Sequence, residues 1–150
     1  MITLERLKVY DIEQTIDLAV KFNKVYGMVE QISKDKIRRM LESSLVYDKS
    51  YFAIVMKDDD KVVGALVGFS AEHPYYDVVM ASELGWYVEE DYRGKLTGIQ
   101  MLKEFELWAK EEAKADFVAM VYTDEMSDLS KLYTGLGFIP VEHTYAKTLK

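Results

Sequence analysis

The residues most able to do chemistry are Arg93-Gly94-Lys95-Leu96-Thr97-Gly98, set between a strand-like run at 83–88 (ELGWYV) and an amphipathic helical run. A helix start leaves backbone N–H groups without partners and carries a partial positive charge, so an anion docked there collects several donors at once. Arg93 and Lys95 add charge of the same sign. Gly94 and Gly98 let a ligand approach the backbone closely. Taken alone, such a turn is more often a solvated connection facing water. A second group changes the weighing. Tyr133 stands on a short helical run just before Gly135-Leu136-Gly137-Phe138. A phenol with an ordinary pKa near 10 can give a proton to a departing anion. The plainer role for Tyr133 is a core aromatic, because Leu129, Leu132 and Leu136 flank it at helical spacing and the chain has eleven tyrosines.

Other chemistries have less support. No G-x-x-x-x-G-K-[ST] loop occurs, and no G-x-G-x-x-G follows a strand-like run. Cysteine is absent, which excludes disulfides, thiolate metal sites and a cysteine nucleophile. No Ser-His-Asp grouping is evident. The two histidines, His73 and His143, are not at ligand spacing, so no metal is expected. Asp58-Asp59-Asp60 reads as a solvated hairpin connection, since three adjacent aspartates cannot all face one ion.

The elements that must position these groups can be read along the chain. Residues 2–9 alternate as a strand. Asp11 reads as the cap of a helix over about 12–25, with Gln14 closing a capping box and Gly27 as the stop. Ser33 opens a second helix carrying Ile37, Met40, Leu41 and Leu45 at helical spacing. Strands follow at 51–56 and 62–70, joined by the polar run 57–61. After a turn at 72–77 come a strand at 78–88, a helix at 97–114, a strand at 117–122 and a helix at about 128–136. Residues 138–141 and 144–149 read as closing strands. The order implies one α/β (α+β) domain over residues 1–150. Its central sheet is mixed and mostly antiparallel, flanked by about four helices, with a right-handed crossover late in the chain.

The 150 residues are 49% hydrophobic and 13% aromatic, enough for a buried core. No apolar run approaches the roughly 20 residues that span a bilayer, and the first residues do not read as a signal peptide, so the expected address is the cytoplasm. The formal charge of −7, from 26 acidic against 19 basic residues, disfavours nucleic acid and anionic membranes and leans toward a cationic partner.

Val88-Glu89-Glu90-Asp91-Tyr92-Arg93, with Gly94–Gly98 after it, resembles motif A of the GNAT superfamily of N-acetyltransferases, whose pattern is Q/R-x-x-G-x-G/A after a strand exit. Leu132-Tyr133-x-x-Leu136-Gly137-Phe138 resembles motif B, and the element order fits from residue 2 to 149. Among that family the chain looks most similar to small stand-alone members, often phage-encoded, which would place it in a host cytoplasm. The resemblance implies acetyl-CoA as co-substrate, with no metal, and direct transfer to a primary amine. It implies cofactor contacts at Trp86, Val88, Arg93, Gly94, Lys95, Leu96, Thr97, Gly98 and Ser130. The strand near Trp86 and Val88 is implied to splay from its neighbour and hold the pantetheine arm through unpaired backbone. Tyr133 is implied to protonate the leaving thiolate.

A base is needed for a protonated amine, and Glu83 is the candidate, with Glu72 and His73 as alternatives. Strand alternation sets Glu83 opposite in facing to Trp86 and Val88 unless a bulge intervenes. Two departures from the family pattern stand out. Leu96 replaces a glycine, and Met126-Ser127 stand near a position where the family often has asparagine. These departures motivate the alternative of a non-catalytic, protein-binding module on the same fold. Relatives pair through sheet edges or last strands, which allows a homodimer.

Overall fold

Alternation along two central strands builds two cores at once. The computed structural model describes residues 1–27, 31–122 and 128–150. β2 (Tyr51–Asp58) and β3 (Lys61–Glu72) are buried along most of their length, which requires cover on both faces. On one face Ala53, Val55, Ala65 and Val67 pack with Ile12, Ile16 and Leu18 of α1 (Ile12–Tyr26) and Leu41 of α2 (Lys34–Val46). On the other, Phe52, Ile54, Met56 and Leu66 pack with Met101, Phe105 and Trp108 of α3 (Leu96–Glu111). The sheet order is β1-β2-β3-β4-β5, where β1 is Ile2–Arg6, β4 is Val79–Val88 and β5 is Phe117–Ala119. The first four strands are antiparallel, and β4 and β5 run parallel with α3 as the crossover. α4 (Ser130–Gly135) follows.

The expected fold class is therefore present, with local corrections. Asp11 does not cap α1. Its carboxylate is buried, accepts the Lys8 N–H at 2.9 Å and pairs with Lys57 Nζ at 2.6 Å. Lys57 also reaches Glu5 at 2.5 Å, so a desolvated cation joins β1, β2 and the turn before α1. Gln14 closes no capping box. It donates to the Asp60 carbonyl at 3.2 Å and accepts the Val62 N–H at 2.9 Å, pinning the β2–β3 turn to α1. Ser33 does cap α2, accepting the Lys36 N–H.

The strand expected over 117–122 has three residues, and the closing strands expected at 138–141 and 144–149 are not formed. Gly137 turns the chain with a φ of 93°. Beyond it Ile139, Val141, Tyr145 and Leu149 are each more than three-quarters exposed. Alternating β-branched and aromatic residues favour a strand only where a ladder partner lies alongside, and none does among the described residues.

α3 lies close on the sheet because position 68 has no side chain. A Cβ on Gly68 would stand 2.3 Å from Phe105 Cε2 and 3.0 Å from the Ser82 carbonyl oxygen. Gly68→Ala should therefore destabilise the fold by about 1–3 kcal/mol through overpacking. Urea denaturation measures this directly, and an unchanged midpoint would contradict the close contact.

Candidate active site

The site is built where β4 leaves its neighbour. β4 and β5 pair only at Met80↔Phe117, Ala81↔Val118 and Ser82↔Ala119. Past Ser82 the β5-facing edge of β4 has no strand partner among the described residues. On its other edge β4 stays paired with β3, but the register shifts: Gly68 faces Glu83 and Val67 faces Gly85. Leu84 is the extra residue of a β-bulge, and its side chain is half exposed. The bulge resets the alternation, so Glu83 shares the α3-facing side with Trp86 and Val88.

Glu83 is only 7% exposed, and burial pushes its carboxyl up to about 8. Tyr133, on α4, is equally buried, and its hydroxyl donates to the Val121 carbonyl at 3.0 Å. Burial first, then the charge of Glu83, holds the Tyr133 phenol well above its ordinary range. The two residues therefore lie within electrostatic reach of each other, although they are fifty positions apart. The alternatives for the base lie elsewhere. Glu72 and His73 line a recess with Asp77 and Asp116 at the Val79 end of β4. That end is four residues before Glu83, about 13 Å along the strand. His143 sits in the exposed final segment.

The turn after β4 is held from several sides. The Glu89 N–H donates to the Val63 carbonyl at 2.8 Å, and its carboxylate pairs with Lys21 at 2.9 Å. The Tyr92 hydroxyl donates to Asp58 at 2.9 Å. Arg93 folds back: Nε donates to the Val88 carbonyl at 2.6 Å, and the guanidinium lies 5.3 Å from the Tyr87 ring centroid. Arg93 thus clamps the strand exit as well as placing charge beside the turn. Lys95 Nζ lies over the Tyr92 ring at 5.6 Å. Gly94 has a φ of 74°, a left-handed conformation costly for other residues. Lys95 then stands at the N-cap of α3, and no side chain caps the first turn. Leu96 is the first helical residue and is absent from the positive-φ set, so the leucine costs nothing in conformation. Its side chain is 77% exposed at the mouth of the turn. Thr97 follows in that turn, and Gly98 lies beside the Trp86 indole, where an added Cβ would be 3.9 Å from Cζ2.

Ser130 opens α4, its N–H donating to Asp128 Oδ1 at 2.8 Å. Hydrogen bonds from Ser130 and Tyr122 hold Asp128 below the ordinary carboxylate range. Tyr122 and Asp128 escape a motif search; an aspartate two residues before a helix-opening serine was the available signal. Met126 and Ser127, near the family's asparagine position, lie outside the described residues.

A family model described as an acetyltransferase (GNAT) domain matches residues 48–140. The chain belongs to the GNAT acetyltransferase family. The match takes in the bulge, the turn, α3 and α4. No curated protein matches the sequence. Solved structures share the fold of this GNAT domain at low identity. A predicted acetyltransferase with acetyl-CoA from Clostridium acetobutylicum superposes with a TM-score of 0.80 at 14% identity, covering 99% of this chain and 97% of that one. Glucosamine-6-phosphate N-acetyltransferase from Arabidopsis thaliana gives 0.77 at 13%, covering 100% and 99%. Ribosomal-protein-alanine N-acetyltransferase from Brucella melitensis gives 0.75 at 15%, covering all of both chains. Among the described residues of the GNAT domain, no helix is long and apolar enough to cross a membrane.

Glu83 also makes stability depend on pH. Its folded pKa, about 8, lies above the ordinary 4.5, so the folded state holds the proton more tightly than the unfolded chain. The contribution is complete below about pH 4.5 and is lost as pH rises toward 8. Over that window it amounts to on the order of 5 kcal/mol at most. Glu83→Gln should remove this term, so the variant should gain on the wild type between pH 5 and 9 in urea titrations. Parallel profiles would contradict the buried carboxyl.

Proposed function

We propose that the protein is an acetyl-CoA-dependent N-acetyltransferase that transfers the acetyl group directly to a primary amine. The observation that carries this reading is the succession of three features along β4 and its exit: the first turn of α3 with no side-chain cap, the β4 edge left without a strand partner among the described residues, and the buried pair Glu83 and Tyr133. The residues suit the cofactor. The first turn of α3 offers backbone donors and helix-dipole charge to a diphosphate, with Lys95 beside it. The free β4 edge around Trp86 and Val88 offers strand-like hydrogen bonds to a pantetheine arm. When bound, acetyl-CoA supplies an activated acyl group on a sulfur that leaves as thiolate.

The chain's own groups handle the protons. Glu83, with a pKa pushed up to about 8, is poised to take a proton from an incoming ammonium near neutral pH. That value matches an α-amine, near 7.7–8.0, better than a lysine amine near 10.4. Tyr133 rests in its protonated form, its hydroxyl donating to the Val121 carbonyl until it turns toward a developing negative charge. Burial makes it a reluctant acid, so its part is a strong hydrogen bond to the sulfur followed by proton transfer. One backbone N–H on the free β4 edge serves as the donor to the acyl oxygen. The acidic chain favours a cationic acceptor, because the long-range field draws one in.

A thiol-release assay with an α-amine panel tests this reading. The rate kcat/KM should rise with pH and level off above about 8. Glu83→Gln should cost about 10²–10⁴-fold and lose that inflection. Tyr133→Phe should lower kcat at least about tenfold while leaving acetyl-CoA affinity unchanged. Wild-type turnover in Tyr133→Phe would return that residue to a packing role.

A further inference from the structure

One buried polar atom among the described residues has no hydrogen-bond partner: the indole nitrogen Nε1 of Trp86. The other tryptophan is different, with Trp108 Nε1 donating to the Asp48 carbonyl at 2.6 Å. A sealed N–H without a partner is unfavourable, and native folds keep few of them outside functional places. Its position is informative. Trp86 lies on β4 between the bulge at Glu83–Gly85 and the turn at Arg93–Gly98. Its side chain packs on the α3 side of the sheet, beside Gly98, where an added Cβ would stand 3.9 Å from Cζ2. Among the described residues the strand edge beside it has no partner, the β4–β5 ladder ending at Ser82.

We infer that the Trp86 indole N–H is a hydrogen-bond donor to an amide oxygen of the pantetheine arm, and that the ring shifts to make the bond. This deepens the acetyl-CoA reading and rests on it. The order along β4 selects the ligand atom. A molecule with its diphosphate at the turn and its acyl carbon at Glu83 lays its intervening amide-bearing chain across position 86. Because the N–H is sealed, it reaches a ligand only if the indole rotates or the first turn of α3 lifts. Gly98 has no side chain to obstruct that movement. Trp86 is thus a positioning residue whose unmet donor in the free protein favours the bound state.

The experiment compares acetyl-CoA binding by calorimetry and tryptophan emission in the wild type, in Trp86→Phe, and in protein carrying the benzothiophene analogue of tryptophan at position 86. The analogue keeps the shape and lacks the N–H. Wild type should bind with a change in emission. Both replacements should bind about three- to tenfold more weakly, and the analogue should melt no lower than wild type. Acetyl-pantetheine, which lacks the diphosphate, should show the same loss. Equal affinity in the analogue, or wild-type binding without an emission change, overturns the inference while leaving the acetyl-CoA reading standing. No binding by wild type overturns both.

Discussion

The architecture depends on where β4 stops pairing with β5. A parallel ladder of three residues holds the two strands together, and beyond Ser82 no described residue pairs with that edge of β4. Had the ladder continued, the backbone of residues 83–88 would be satisfied within the sheet and closed to any ligand. The bulge at Leu84 acts at the same place. It turns Glu83 toward the α3 side and so puts a carboxyl, an indole and the start of α3 along one line. α3 can hold that position because Gly68 lets Phe105 sit hard against the sheet, and because Arg93 ties the turn back to Val88.

Electrostatics divide the molecule. Near α1, a buried lysine is balanced by Asp11 and Glu5, so its charge is neutralised locally and serves the fold. Glu83 is buried without such a partner, and desolvation alone moves it. Unpaired buried carboxyls are costly to a fold, and they concentrate where proton transfer is needed. The turn follows a similar logic: Lys21, Lys61, Arg93 and Lys95 gather around the β4 exit of a chain whose net charge is −7.

Much of this was legible in the sequence. The turn could be read because its ingredients are contiguous: cations, glycines and a helix start within six residues. The central strands could be read because burial on both faces demands continuous apolar runs. The bulge could not, since nothing in ELGWYV marks which residue is extra; only the pairing with Val67 and Gly68 fixes it. Asp11 looked like a cap because aspartate before a helix usually is one, yet a buried lysine 46 positions away claimed it. The last segment failed for the opposite reason. Its alternation is local and clear, but a strand needs a neighbour, and none of the described residues pairs with 138–149. Leu96 looked like a source of backbone strain and is not one, because the left-handed residue is Gly94.

Backbone amide NMR during an acetyl-CoA titration tests the central claim most directly. The account predicts that the largest shifts fall on residues 94–98 and on the unpaired stretch 83–88, with α1 and the recess at Glu72 and Asp77 unmoved. Shifts centred on that recess or on the exposed final segment, with residues 83–98 silent, would contradict it.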